Sequence, residues 1–234
     1  MIAEVDLTLD DRRSERLWTD IDALLTGAGL AVADVGLFAV CVGPGGFTGL
    51  RVGMAAIKGF AAAADKGVIG VTSLEAAAFA APPAPLVLAM VNAYKAEVYS
   101  QLFSVQADAP PQPQEAPAVS TIAQAIERVS RLAMVTFSGD GAAAARAAIE
   151  AAAGDRLRDH AAQGAGDGGW TISPAPPGLA RGIARLAYLK YKLGEERCGD
   201  ELKACYVRPA EAEIKLSLGL LGSKIKRSLR PQGQ

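Results

Sequence analysis

The chain has 234 residues, half of them hydrophobic, with 24 basic side chains against 25 acidic ones. That length supplies one large domain or two small lobes, and charged residues at 21% argue against wholesale disorder. No apolar run reaches the ~18 residues that a membrane-spanning helix needs, and a net charge of -1 gives no global basic field for coating nucleic acid.

Val5, Leu7 and Leu9 alternate with Asp6 and Thr8, the period of a half-buried strand, and Asp10-Asp11 ends it. From Ser14, residues Leu17, Trp18, Ile21, Leu24 and Leu25 recur at three- and four-residue steps, predicting an amphipathic helix that Gly27 and Gly29 stop. Leu37 to Val42 is a continuous apolar run of strand length, as a strand covered on both faces requires. Gly43-Pro44-Gly45-Gly46 breaks it, and the spacing predicts a helix from Thr48, as N-cap, to about Ala64. A short strand follows at Val68 to Val71, and Thr72-Ser73-Leu74-Glu75 has capping-box spacing for a helix through Ala81.

Pro82, Pro83 and Pro85 mark a boundary, after which Leu86 to Val91 and Val98 to Val105 flank a polar turn as a hairpin. The prolines between Asp108 and Pro117 predict a surface loop. Ser120 is the expected cap of a helix whose stripe is Ile122, Ala125, Ile126, Val129 and Leu132. Met134 to Phe137 reads as a strand, and Gly139-Asp140-Gly141 turns into an alanine-rich helix ending near Ala153. Gly164 to Gly169 reads as flexible, Leu179 to Leu193 as a final periodic helix, and a tail begins near Glu195. The expected domain organisation is an N-terminal lobe over 1–83, a second lobe over 84–194 with its Pro-rich loop at 108–117, and a C-terminal segment with a basic tail over 195–234.

Catalytic signatures are sparse. Three cysteines, Cys41, Cys198 and Cys205, fit neither a disulfide framework nor a zinc cluster, and one histidine, His160, cannot supply a multi-histidine metal site. The acidic N-terminus lacks the pattern of an export signal, so a cytoplasmic protein is expected. Cys41 reads as a small buried hydrophobe, His160 as an exposed loop residue, and Glu97 with Asp140 as turn residues or an acid–base pair. After Glu213 the tail carries Lys215, Lys224, Lys226, Arg227 and Arg230 among apolar residues, which suits either a solvated tail or contact with RNA.

The informative segment is Gly43-Pro44-Gly45-Gly46-Phe47-Thr48-Gly49-Leu50-Arg51-Val52-Gly53, a glycine-rich turn between a buried strand and a helix. Such a turn suits an anion, yet Leu50 stands where a P-loop has lysine, and Thr48 where a dinucleotide fold has its third glycine. Gly49 and Gly53, one helical turn apart and followed by Ala56 and Ala63, make a small face for either a second protein or the chain's own sheet.

This segment, with Ser14-Glu15-Arg16-Leu17 before it and Thr72-Ser73-Leu74-Glu75-Ala76 after it, resembles the TsaB (YeaZ) family. Further matches are Glu97-Val98-Tyr99, Gly139-Asp140-Gly141-Ala142 and Tyr206-Val207-Arg208-Pro209 with Ala210-Glu211. The resemblance implies an α/β, actin-like (ASKHA) two-lobed fold, and a non-catalytic subunit that activates transfer of threonylcarbamoyl to N6 of the adenosine beside the anticodon in tRNAs reading A-starting codons. It implies pairing with a TsaD-like catalytic homologue, a TsaE-like ATPase as further partner, self-pairing when alone, and tRNA contacted only through the complex. No cofactor is assigned to this chain itself, ATP or ADP being admitted only in the complex, and no metal is expected.

Pairing in the family runs through two N-terminal helices, here about Ser14 to Thr26 and Thr48 to Ala64. The implied surface holds Ser14, Leu17, Trp18, Ile21, Gly45, Gly46, Phe47, Thr48, Gly49, Leu50, Arg51, Gly53 and Ile57. Three departures stand out. Ile2 to Leu9 matches the family's third strand, so its opening strand-turn-strand with an Asp-Thr-Ser phosphate loop is missing and the first lobe is expected to be incomplete, as from a late start codon or truncated gene. Arg13 replaces the usual histidine, and Asn92 the usual acid of the hairpin turn. An autonomous ATP-dependent phosphotransferase or a peptidase of the same superfamily is the alternative reading.

Overall fold

The computed structural model describes residues 3–5, 13–93, 96–158, 168–175, 178–195 and 198–208. Most of the expected first strand, His160 and the basic tail lie outside the described residues. Helix α1 spans Arg13–Gly27, and β1, Phe38–Gly43, pairs in parallel with β2, Val68–Thr72, in the register Phe38↔Val68 to Cys41↔Val71. Between them runs α2, Phe47–Ala64. Its N-cap is Gly46, with no side-chain cap bond, so Thr48 sits inside the first turn rather than capping it.

Helix α3, Ser73–Phe79, follows β2 directly and carries the capping box its sequence predicts. Glu75 N donates to Thr72 Oγ1 at 3.0 Å, and Thr72 N donates to Glu75 Oε2 at 2.8 Å. Because its residues are small, α3 is buried on several sides at once. Leu74, Ala77 and Ala78 pack with Val87, Ala89 and Phe103, while Ala76 joins Ile69, Val71, Ile183 and Leu186.

The second sheet has the order β5-β4-β3-β7-β8, with β6 also pairing β4. The hairpin β3, Ala84–Asn92, and β4, Glu97–Val105, is antiparallel, whereas β7, Val135–Ser138, joins β3 in parallel. The Pro-rich loop is less free than its composition suggests. Gln112–Pro113 forms the two-residue edge strand β5, and Glu115 accepts Leu102 N at 3.1 Å while pairing with Arg128 at 3.1 Å. Strand β6, Ala118–Thr121, contains Ser120, so the cap of α4, Ile122–Val129, is Thr121 with Gln124 closing the box. The alanine-rich helix is two, α5, Asp140–Ala144, and α6, Arg146–Ala153.

Two features were not foreseen. Trp170–Ile172 forms β8, parallel to β7, too short to show a period. Helix α7, Ala180–Lys192, packs on β1, β2 and α3, and the chain beyond it also returns to the first sheet: Leu202, Ala204 and Cys205 join the cluster around Phe38, Val42, Met54 and Val68. The expected tail therefore includes a packed segment.

Trp170 is the largest fully buried side chain described. Its ring lies 5.0 Å from that of Phe137, the Arg156 guanidinium covers it at 4.3 Å, and Nε1 donates to Leu132 O at 3.1 Å. Trp170→Ala should lower unfolding stability by about 3–5 kcal/mol, read from urea denaturation followed by circular dichroism.

Candidate interaction surface

The turn ahead of α2 is held from behind. Gly43 adopts φ +104, and a Cβ there would stand 2.8 Å from the carbonyl oxygen of Cys205 and 3.1 Å from Leu50 Cδ1. Glycine is thus required twice, for its backbone region and for the close approach. Cys205 N donates to Val42 O at 2.7 Å, and the buried Ser73 hydroxyl donates to Pro44 O at 2.6 Å. Strand, turn and helix are fixed by groups on the inner side, which leaves the outer side of the first α2 turns bare.

Gly46, Phe47, Thr48, Gly49 and Arg51 are exposed, with Phe47 at 40%. Gly45 and Leu50 are half-buried, Leu50 turning its side chain back onto Gly43 and Gly45. Gly53 faces the chain's own sheet, with its Cβ position 3.9 Å from Val40 Cγ2, and Ile57 packs against the first-sheet core. At Gly49 a Cβ would meet open space. The small face therefore divides: Gly53 lies against the chain's own sheet, while a Cβ at Gly49 would meet nothing within 4 Å.

On α1, Trp18 is 53% exposed yet meets Phe60 of α2 edge-on at 5.2 Å, while Leu17 and Ile21 are half-buried. Ser14 lies in the first turn of α1, its side chain outside the described residues. Sequence reasoning missed Tyr206 as a neighbour of this face. Its ring lies 5.6 Å from that of Phe47, and its hydroxyl accepts from Arg51 Nε at 3.4 Å. The Tyr206-Val207-Arg208 motif was visible, but nothing local linked it to a residue 155 positions away.

The candidate acid–base residues are engaged in structure. Asp140 Oδ1 accepts from Asn92 N at 3.2 Å and from Gly141 N at 2.9 Å, and Glu97 pairs with Arg208. Among the described residues no group of three His, Cys, Asp or Glu side chains is placed to hold a metal, and no helix is long and apolar enough to cross a membrane.

Thiol chemistry is likewise muted in the core. Burial pushes the Cys41 thiol up, opposed by a hydrogen bond from the Gly43 backbone and reinforced by the Cys205 and Glu75 charges; burial and then Glu75 push Cys205 up. Cys198 is exposed.

The geometry is that of an α/β protein with a parallel pair and a mixed sheet, and with a helix face held bare from behind. A family model described as TsaD, tRNA N6-adenosine threonylcarbamoyltransferase, matches residues 9–216. The chain is 39% identical over 89 residues to the tRNA threonylcarbamoyladenosine biosynthesis protein TsaB of Haemophilus influenzae, and 35% identical over 89 residues to that of Escherichia coli. Each alignment covers 37% of this chain and 38% of the relative, so the match spans less than two-fifths of these curated proteins. Among solved structures it is similar to YeaZ from Pseudomonas aeruginosa, with TM-score 0.61 and 22% identity over 87% of this chain and 86% of that one. A second Pseudomonas aeruginosa structure, described as similar to peptidase YEAZ, gives TM-score 0.61 and 24% identity over 88% and 87%. The fold is thus the actin-like one that the sequence motifs imply. The chain belongs to the family that the threonylcarbamoyltransferase model describes, and to its TsaB/YeaZ group.

Three outcomes test the local geometry. Gly43→Ala should cost about 1–3 kcal/mol and speed amide exchange at Cys205, because the strained turn and the Cys205 carbonyl cannot both keep their places. A thiol reagent at pH 8 should modify Cys198 at least about tenfold faster than Cys41 or Cys205 in the folded chain. Because both raised thiols hold protons that the unfolded chain gives up, stability should fall as pH rises through the ordinary thiol range near about 8.5.

Proposed function

We propose that the chain acts in tRNA threonylcarbamoyladenosine biosynthesis as a non-catalytic activating subunit, pairing through α1 and the outer face of α2 with an actin-like catalytic homologue of the TsaD type. The named relatives support the pathway, and the family model supports kinship between the two subunits. The observation that carries the pairing role is Gly49. A glycine in a helix costs up to about 1 kcal/mol relative to alanine, and at Gly49, in the first turn of α2, no contact within the described residues requires one. A second helix laid across this face would use the missing Cβ for close approach.

In this reading the TsaE-like ATPase and the tRNA are met in the assembled complex, any ATP or ADP belongs to that complex, and the chain self-pairs through the same face when its partner is absent. A cytoplasmic setting belongs to the same proposal and suits the three free cysteines.

Gly49 also makes a cleaner test than Gly53, whose Cβ would point at Val40. Gly49→Leu should keep the fold and melting temperature, since its side chain enters open space, while co-purification with the catalytic homologue and threonylcarbamoylation of tRNA by the reconstituted complex fall sharply. Undiminished pairing by the folded variant would overturn the surface named here.

A further inference from the structure

Phe47, Arg51 and Tyr206 come from two separated stretches of chain and form one exposed unit. The Arg51 guanidinium carbon stands 3.9 Å from the Phe47 ring centroid, Arg51 Nε donates to the Tyr206 hydroxyl at 3.4 Å, and the two rings meet at 5.6 Å with a 33° tilt. Despite these contacts Phe47 remains 40% and Tyr206 49% exposed, and Arg51 is exposed as well. Tyr206 is held in place by its neighbour Cys205, whose amide donates to Val42 and whose carbonyl sits against Gly43. An aromatic pair with an ordered arginine, presented on a braced turn, has the composition of an interface hot spot and needs little further ordering on binding.

The charge pattern selects the occupant. Helix α2 contains Arg51 and Lys58 and no acidic residue. None of the ion pairs among the described residues includes Arg51. Laying α2 of one copy on α2 of another would bring these like charges together, which makes self-pairing the weaker use of this face. A different protein that offers a carboxylate to the guanidinium and an apolar side chain to the two rings satisfies both parts of the unit.

We propose that Phe47, Arg51 and Tyr206 form the recognition centre of the pairing face, making the segment around Tyr206 part of it, and that this centre receives an acidic side chain with an adjacent apolar one from the catalytic homologue. The inference rests on the pairing reading above and adds to it the binding residues and the partner's chemistry. Tyr206 binds through its ring and also positions Arg51 through its hydroxyl.

The test measures the Kd between the full chain and the catalytic homologue of the same organism, at two salt concentrations, with melting temperatures recorded alongside. Tyr206→Ala and Arg51→Ala should each weaken binding at least about tenfold, which is about 1.4 kcal/mol. Tyr206→Phe, which keeps the ring and loses only the hydroxyl that positions Arg51, should weaken binding about threefold, less than Tyr206→Ala, and Arg51→Ala should remove most of the salt dependence. Should Tyr206→Ala fail to fold, Arg51→Ala on the exposed helix face still decides. If Gly49→Leu abolishes pairing while Arg51→Ala and Tyr206→Ala bind like wild type, the recognition centre is wrong and the pairing face stands. If Gly49→Leu also binds like wild type, the pairing face itself fails. Self-association that depends on Arg51, with no binding to the homologue, would make a second copy the occupant and overturn the choice of partner.

Discussion

The bare face of α2 exists because the turn before it is clamped on its inner side. Three groups do this: the Ser73 hydroxyl on Pro44 O, the Cys205 amide on Val42 O, and the Cys205 carbonyl against Gly43. Two net hydrogen bonds of about 1 kcal/mol each are modest, but both lie where an unmade bond would leave an inner polar group without a partner. Without them the Gly-Pro-Gly-Gly stretch would need side-chain caps or outward contacts, and the N-terminal turns of α2 would no longer be free to meet another molecule. The missing side-chain cap at Gly46 fits this arrangement: backbone anchoring on one side takes the place of a capping residue on the other.

Ser73 can serve because α3 is itself fixed at both ends of its bonding network. Its capping box uses Glu75 Oε2, and Glu75 Oε1 receives Lys190 Nζ of α7 at 2.6 Å. With both partners mostly buried, this pair is costly to break by removing one member. At the other face of the helix the Ser138 hydroxyl of β7 donates to Ala77 O at 2.6 Å. Helix α3 therefore belongs to the cores of both sheets, and alanine at 76, 77 and 78 is what allows it to approach so many neighbours. Bulkier residues there would satisfy one core and displace the other.

Much of this was legible from local chemistry. The capping box at Thr72, the apolar run that became β1 and the two strands of the hairpin all reflect patterns within a few residues, and each formed where its pattern lay. Assignments failed where distant residues decide. Thr48 looked like a cap until the Gly46 backbone took that position, and Ser120 gave way to Thr121 because pairing with Val98 draws it into β6. Strand β8 owes its existence to β7 beside it and to Trp170 filling the space over Phe137. For the residues expected at the pairing surface, the helical spacing marks the stripe but not its orientation. Only the sheet beneath α2 separates Gly53 and Ile57, which look inward, from Gly49 and Arg51, which look out.

The segment from Leu202 to Arg208 joins three places at once. Leu202 and Cys205 lie in the first-sheet cluster, Tyr206 stands on the first turn of α2, and Arg208 pairs with Glu97 at the start of β4 in the second sheet. Seven residues span these points, a reach of at most about 23–25 Å even when fully extended. A shift of the hairpin beyond that reach would break the Arg208–Glu97 pair or pull on the Cys205–Val42 bond, and the second of these is what braces the turn ahead of α2. Thus one short stretch of chain ties the outer face of that helix, through Tyr206, to the start of β4, through Arg208, and so links the two sheets.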